Sequence, residues 1–249
     1  MRAIALLLFY ASCEFCFGSP GTNGATDATP TSATKLIPLP MRYPAPSWGI
    51  NGIYEHPSGP NIESVTDKPR APFLAPVGVT NLALRKGVRA SVPNPLFGTL
   101  SMVTDGQKEA AATNVVALPE GVQWVQIDLD RECRVYAVVI WHDGIYHLPV
   151  FRGVIVQASD DASFGQHVQT LFNNDFENTA GLGKGADKQY FEIYEGKLID
   201  AKGVKARYLR FYSNGNNNSP LNGYIEIEVW GLPPGSQAER TSPTNGSSR

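Results

Sequence analysis

Gln123-Trp124-Val125-Gln126-Ile127-Asp128-Leu129 alternates Val125, Ile127 and Leu129 with Gln126 and Asp128. A period of two with one apolar side predicts a half-buried β-strand. Val135–Trp141, six residues further on, is a continuous apolar run rich in valine and aromatics, the pattern of a strand covered on both faces. Similar runs recur at 153–158, 189–195, 206–212 and 224–230, bounded by Gly, Asn, Asp and Pro clusters. In the last of these, Ile225, Ile227 and Val229 share one face, and Glu226 and Glu228 the other. No amphipathic helix of ten residues competes; 107–113 and 196–202 have room for a turn or two. Many short strands without crossover helices predict an all-β sandwich or jelly roll.

Composition agrees. The 249 residues include 24 glycines and 19 prolines, a turn-rich usage that argues against a helical bundle. A formal net charge of −2 leaves no electrostatic footprint for nucleic acid. Three cysteines are too few for a disulfide scaffold, and Cys133, inside a strand-like run, reads as a small core hydrophobe. Cys13 and Cys16 lack the strand–helix context of a redox or metal pair.

Arg2 followed by the apolar stretch Ala3–Tyr10 and the small residues Ala11 and Ser12 has the form of a secretory signal. Two outcomes stay open: a lipid anchor at Cys13, or simple cleavage near Gly18. Export, to the medium or the cell surface, is the expectation either way, with no transmembrane span. Eleven of the prolines lie before residue 77. The expected organisation is a signal at 1–19, a proline-rich linker at 20–75, a β-domain at 76–232 and a polar tail at 233–249.

Six segments then carry a family resemblance, in order along about 150 residues. They are Asn81–Gly87 with Ala90-Ser91, Thr104-Asp105-Gly106 with Thr113, Gln123–Leu129, Val156–Asp160, Ala206–Arg210 and Tyr224–Gly231. This order resembles the discoidin family (coagulation factor V/VIII C-type domains), whose relatives include bacterial carbohydrate-binding modules of galactose-binding-like fold. The resemblance implies an eight-stranded jelly-roll β-sandwich, here behind a proline-rich N-terminal extension, with loops at one end that bind a ligand. It also implies a structural calcium ion held by Asp105, the backbone at Gln107, Thr113 and Glu228. The alternative for Asp105 is a turn in which it caps backbone amides.

The residues themselves point to binding. Sugars present apolar C–H faces and rings of hydroxyls, which aromatics, amides, carboxylates and guanidinium forks recognise. Trp141, His142, Asp143, Tyr146 and His147 crowd one predicted loop, Asn214, Asn216 and Asn217 another, and Arg152 offers a fork. No nucleophile motif is present, and Glu226 and Glu228 read better as alternating acids on a solvent-facing strand than as a catalytic pair. The expectation is a non-enzymatic module for carbohydrate or another cell-surface ligand. An adhesion module docking to protein or lipid through the Phe97 and Tyr146 loops is the alternative, and a hydrolase a distant third.

Overall fold

The computed structural model describes residues 34–45, 58–64, 68–143 and 149–236. The expected signal with Cys13 lies outside the described residues, as do Tyr146 and His147. The described residues form twelve strands: β1 (Leu36–Pro38), β2 (Leu74–Pro76), β3 (Thr80–Asn81), β4 (Val88–Ala90), β5 (Val116–Leu118), β6 (Gln123–His142), β7 (Val150–Phe151), β8 (Ile155–Ser159), β9 (Gln169–Asn173), β10 (Tyr190–Phe191), β11 (Lys197–Ser213) and β12 (Asn222–Leu232). Short 3₁₀ turns occupy Leu100–Thr104 and Ala112–Asn114.

The stretches 123–129 and 135–141 are one strand. β6 pairs antiparallel with β11 along nearly its whole length, from Gln123–Ser213 at one end to Ile140–Lys197 at the other. Residues 196–202, read from sequence as room for a helical turn, belong mostly to β11. The ladder breaks where the register shifts between Asp200 and Val204 and between Ala206 and Tyr208. At that break Asp130 and Lys202 both take positive φ, 68° and 53°. Each donates its backbone N–H to an aspartate two residues earlier, Asp128 Oδ1 at 2.8 Å and Asp200 Oδ1 at 2.9 Å. Such side-chain-to-backbone turns interrupt a ladder locally and let a strand change direction.

Two layers result, sharing β6 and β11. The first runs β4, β6 (N-terminal half), β11 (C-terminal half), β8, β9; the second runs β3, β12, β6 (C-terminal half), β11 (N-terminal half). Between them Val125, Ile127, Leu129, Leu209, Phe211 and Val156 of the first layer meet Val138, Ile140, Ile199, Ile227 and Val229 of the second. Cys133 is buried in the same core. The architecture is the β-sandwich that the strand pattern predicted.

The second layer is covered on its outer face as well. Ala137, Val139 and Trp141 of β6 and Ile225, Trp230 and Leu232 of β12 pack with Leu39, Ala75 and Val79, and Met41 and Phe73 adjoin them. β1 and β2, which pair antiparallel, thus come from the proline-rich segment and complete a second apolar cluster. The attachment extends further: the Arg70 N–H donates to the Glu195 carboxylate at 3.0 Å, its guanidinium reaches the Gly196 carbonyl, and Glu63 pairs with Lys197. Each large apolar side chain fully buried is worth roughly 1.5–3 kcal/mol. A variant beginning at residue 77 is therefore expected to melt about 5–10 °C lower and to bind more of an apolar-surface dye, read by scanning calorimetry and fluorescence.

Candidate functional site

One cleft of about 890 Å³ opens where three loops meet. Arg152 and Gly153 come from the turn between β7 and β8. Asn174, Asp175, Phe176, Glu177 and Thr179 come from the insertion after β9, and Asn214, Asn216, Asn217 and Ser219 from the turn between β11 and β12. Glu120 and Gly121 close one side and Asn61 and Gln189 another.

The loops are held by their own amides. Asn174, fully buried, accepts the Val154 N–H on Oδ1 at 2.7 Å and donates Nδ2 to the Phe151 carbonyl at 3.1 Å. Asp175 accepts from Thr179 Oγ1 (3.0 Å) and the Ala180 N–H (2.9 Å). Asn217 Oδ1 accepts the Val150 N–H at 2.7 Å, and Asn216 Oδ1 accepts from the N–H groups of Asn218 and Ser219. Asn222, behind them, ties the turn to the Pro119 and Gly121 carbonyls. Gly153 is required at the floor: its φ is +69°, and a Cβ there would lie 3.1 Å from Asn214 Cβ. The glycine-rich run 181–185 is likewise fastened, because a Cβ on Gly185 would meet the Asn173 carbonyl at 2.4 Å.

Of the residues singled out from sequence, Arg152, Asn214, Asn216 and Asn217 come together here. Trp141 and His142 do not, and their placement in a solvent-facing loop is corrected: they are 2% and 1% exposed, at the end of β6. The Trp141 Nε1–H donates to the Tyr194 carbonyl at 2.9 Å. His142 stacks on Phe151 at 4.3 Å, and burial pushes its imidazole down to about 3, so it sits in the core as the neutral form. Asp143 lines a neighbouring apolar groove of about 280 Å³ with Phe97, Val115 and Leu221. Phe176, the aromatic in the cleft lining, was not singled out; an aromatic amid Asn173, Asn174, Asp175 and Asn178 was the available signal.

The implied calcium set also separates. Asp105 Oδ1 accepts the Gln107 N–H at 2.8 Å, a turn of the backbone-capping kind. Thr113 is exposed and donates to Asn114. Glu228 has both oxygens engaged, by Lys108 Nζ at 2.7 Å and Trp230 Nε1 at 2.9 Å, which removes it as the acid facing the turn. Glu226 takes that place: its Oε2 accepts the Gly106 N–H at 3.1 Å, and its Oε1 is buried without a partner among the described residues. Neither acid faces solvent as the alternation suggested, since residues 105–110 cover them. Burial raises the Glu226 carboxyl to about 9, reinforced by the nearby Glu228 and Asp105. Oxygen donors with an orphaned carboxylate oxygen suit a hard cation at this turn through Glu226, not through Glu228. Among the described residues no three His, Cys, Asp or Glu side chains group as a metal cluster. No described helix is long and apolar enough to cross a membrane.

No family model and no curated protein matches the chain. Among solved structures, the chain is similar to chitosan-binding module 1 of a chitosanase/glucanase from Paenibacillus sp. IK-5. The identity is 22% over 60% of this chain and 98% of that one, with a TM-score of 0.42. It is similar to a Streptococcus pneumoniae fucose-binding module, SpX-3, at 18% identity over 60% of this chain and 96% of that one, TM-score 0.44. A family 89 glycoside hydrolase from Clostridium perfringens is matched over 63% of this chain and 15% of its own length, at 18% identity and a TM-score of 0.44.

A carboxyl raised to about 9 in the fold and titrating near 4.5 when unfolded keeps its proton only in the folded state between those values. Stability of the metal-free protein should therefore fall as pH rises from about 5 to 9. Glu226→Gln should flatten that slope in urea titrations run across the range.

Proposed function

We propose that this chain is a non-catalytic, exported carbohydrate-binding module whose ligand occupies the cleft between the β7–β8, β9–β10 and β11–β12 loops. The observation that carries the reading is the lining itself. A guanidinium with no partner among the described residues, the Asn216 and Asn217 amides with their oxygens committed to the fold, hydroxyls, carboxylates and one aromatic converge on a single opening. Arg152 supplies two parallel donors for adjacent hydroxyls, the Nδ2 groups of Asn216 and Asn217 supply further donors, and Phe176 offers an apolar face for sugar C–H groups. Export rests on the sequence of residues 1–19, with a lipid anchor at Cys13 as one form of it.

Calcium belongs to the same proposal as a structural ion at the Asp105–Gln107 turn, with Glu226 as its buried carboxylate. It would take the place of the proton that burial otherwise keeps on that carboxyl. Millimolar calcium at pH 7 should then raise the melting temperature by several degrees, chelator should reverse the rise, and Glu226→Gln should abolish it.

The apolar groove supports a second reading, docking to a protein or lipid surface. Phe97 is 67% exposed, and Leu96 beside it is exposed as well. A glycan-array screen of the chain separates the two. Binding in the cleft predicts specific glycan signals that drop at least tenfold in Arg152→Ala and Phe176→Ala and persist in Phe97→Ser. Adhesion through the groove predicts a blank array from folded protein.

A further inference from the structure

Three carboxylates line the cleft, those of Glu120, Asp175 and Glu177, against one guanidinium, Arg152; no lysine or histidine is among them. Among the described residues none of these four side chains takes part in a salt bridge. The two donors that Asp175 accepts from, Thr179 Oγ1 and the Ala180 N–H, carry no formal charge. A carboxylate at a protein surface ordinarily finds a cation or open water. Here Glu120 stands on one side of the opening and Glu177 on the insertion, with Asp175 buried beneath it, and three carboxylates against one guanidinium leave the lining a formal charge of −2, a negative potential that concave walls concentrate.

We propose that the preferred ligand is a cationic amino sugar, an oligosaccharide with free 2-ammonium groups, rather than a neutral, N-acetylated or anionic one. This rests on the cleft being the carbohydrate site. Each ammonium donates up to three hydrogen bonds and makes charge-assisted contacts with carboxylates, about twice as strong as neutral ones. Acetylation removes the charge and two of the donors. A uronic acid or sulfated sugar meets like charge from Glu120 and from the insertion, with Arg152 alone to receive it. Arg152 is left to fork onto hydroxyls, which every sugar in the comparison carries.

The test is titration calorimetry of the full chain with matched tetrasaccharides: glucosamine and N-acetylglucosamine, the corresponding galactosamine pair, and tetragalacturonate. The free amines should bind about tenfold more tightly than their acetylated partners at 50 mM salt, roughly 1.4 kcal/mol. At 1 M salt, where the screening length is about 3 Å, the ratio should fall to about twofold. Glu177→Gln and Glu120→Gln, at exposed positions that leave the fold intact, should each lower the amine-to-acetyl ratio two- to threefold. Equal affinity within each pair, or tighter binding of tetragalacturonate, overturns the amino-sugar inference. If that binding is still lost in Arg152→Ala and Phe176→Ala, the carbohydrate reading stands without it. Folded protein that binds none of the five overturns both.

Discussion

Everything in this sandwich depends on the shared corner of β6 and β11. Two strands of 20 and 17 residues pair with each other, bend at the same level and pass together from one layer to the other. A straight ladder of that length would form one flat sheet with an unburied face. The break is made by short side chains: Asp128 and Asp200 capture backbone N–H groups that the ladder would otherwise use, at Asp130 and Lys202, where φ is positive. Arg207 secures the corner by a bidentate bond to Asp128, at 2.8 and 2.9 Å. It also holds the Asp128 carboxyl below its usual range, mainly through that hydrogen bond. Because both strands fold over at once, the two layers face each other with Ile127, Leu209, Ile140 and Ile227 in one shared core.

The corner also explains why a proline-rich segment is drawn onto the body. The C-terminal half of β6 carries apolar residues on both faces, so folding the sheet buries Cys133, Val135, Val138 and Ile140 inside. Ala137, Val139 and Trp141 remain on the other face and need a cover. A segment broken by prolines cannot supply a long strand, and β1 and β2 are accordingly three residues each. What it supplies is Leu39, Phe73 and Ala75, fastened by the Arg70–Glu195 contact.

The strands were legible because period two and β-branched runs are local signals. That two of them were one strand was not, since the same aspartates that read as turn punctuation in sequence become the bend of a continuous ladder. The burial of Trp141 and His142 was hidden for a related reason. They end a run covered on both faces: β1 and β2, some 65–105 residues away in sequence, belong to the cluster around Trp141, and Phe151, Tyr190 and Tyr224 enclose His142. The choice between Glu226 and Glu228 was not legible because both stand on one face of β12, and which of them meets Gly106 and which Lys108 depends on how the turn after Asp105 lies across that face. In the cleft, residue types were readable one loop at a time, as with Arg152 and Asn214, Asn216 and Asn217. Their convergence with Phe176 and Glu177 was not, because it depends on how the insertion after β9 folds back.

That insertion also bears on what kind of site the cleft is. A sugar ligand gains little from each hydroxyl, because every protein–sugar hydrogen bond replaces one to water, leaving about 1 kcal/mol net. Ordering a loosely held side chain on binding costs a comparable 0.5–1.5 kcal/mol. A site of mobile amides would therefore gain almost nothing. Here the ordering is done during folding: Asn216 and Asn217 spend their carbonyl oxygens on turn N–H groups and Asn174 spends both ends, which fixes the walls between which Phe176 and Arg152 stand. Asn216 and Asn217 thus make the turns and face the cleft at once, the oxygen of each amide serving the fold and its Nδ2 left to bind.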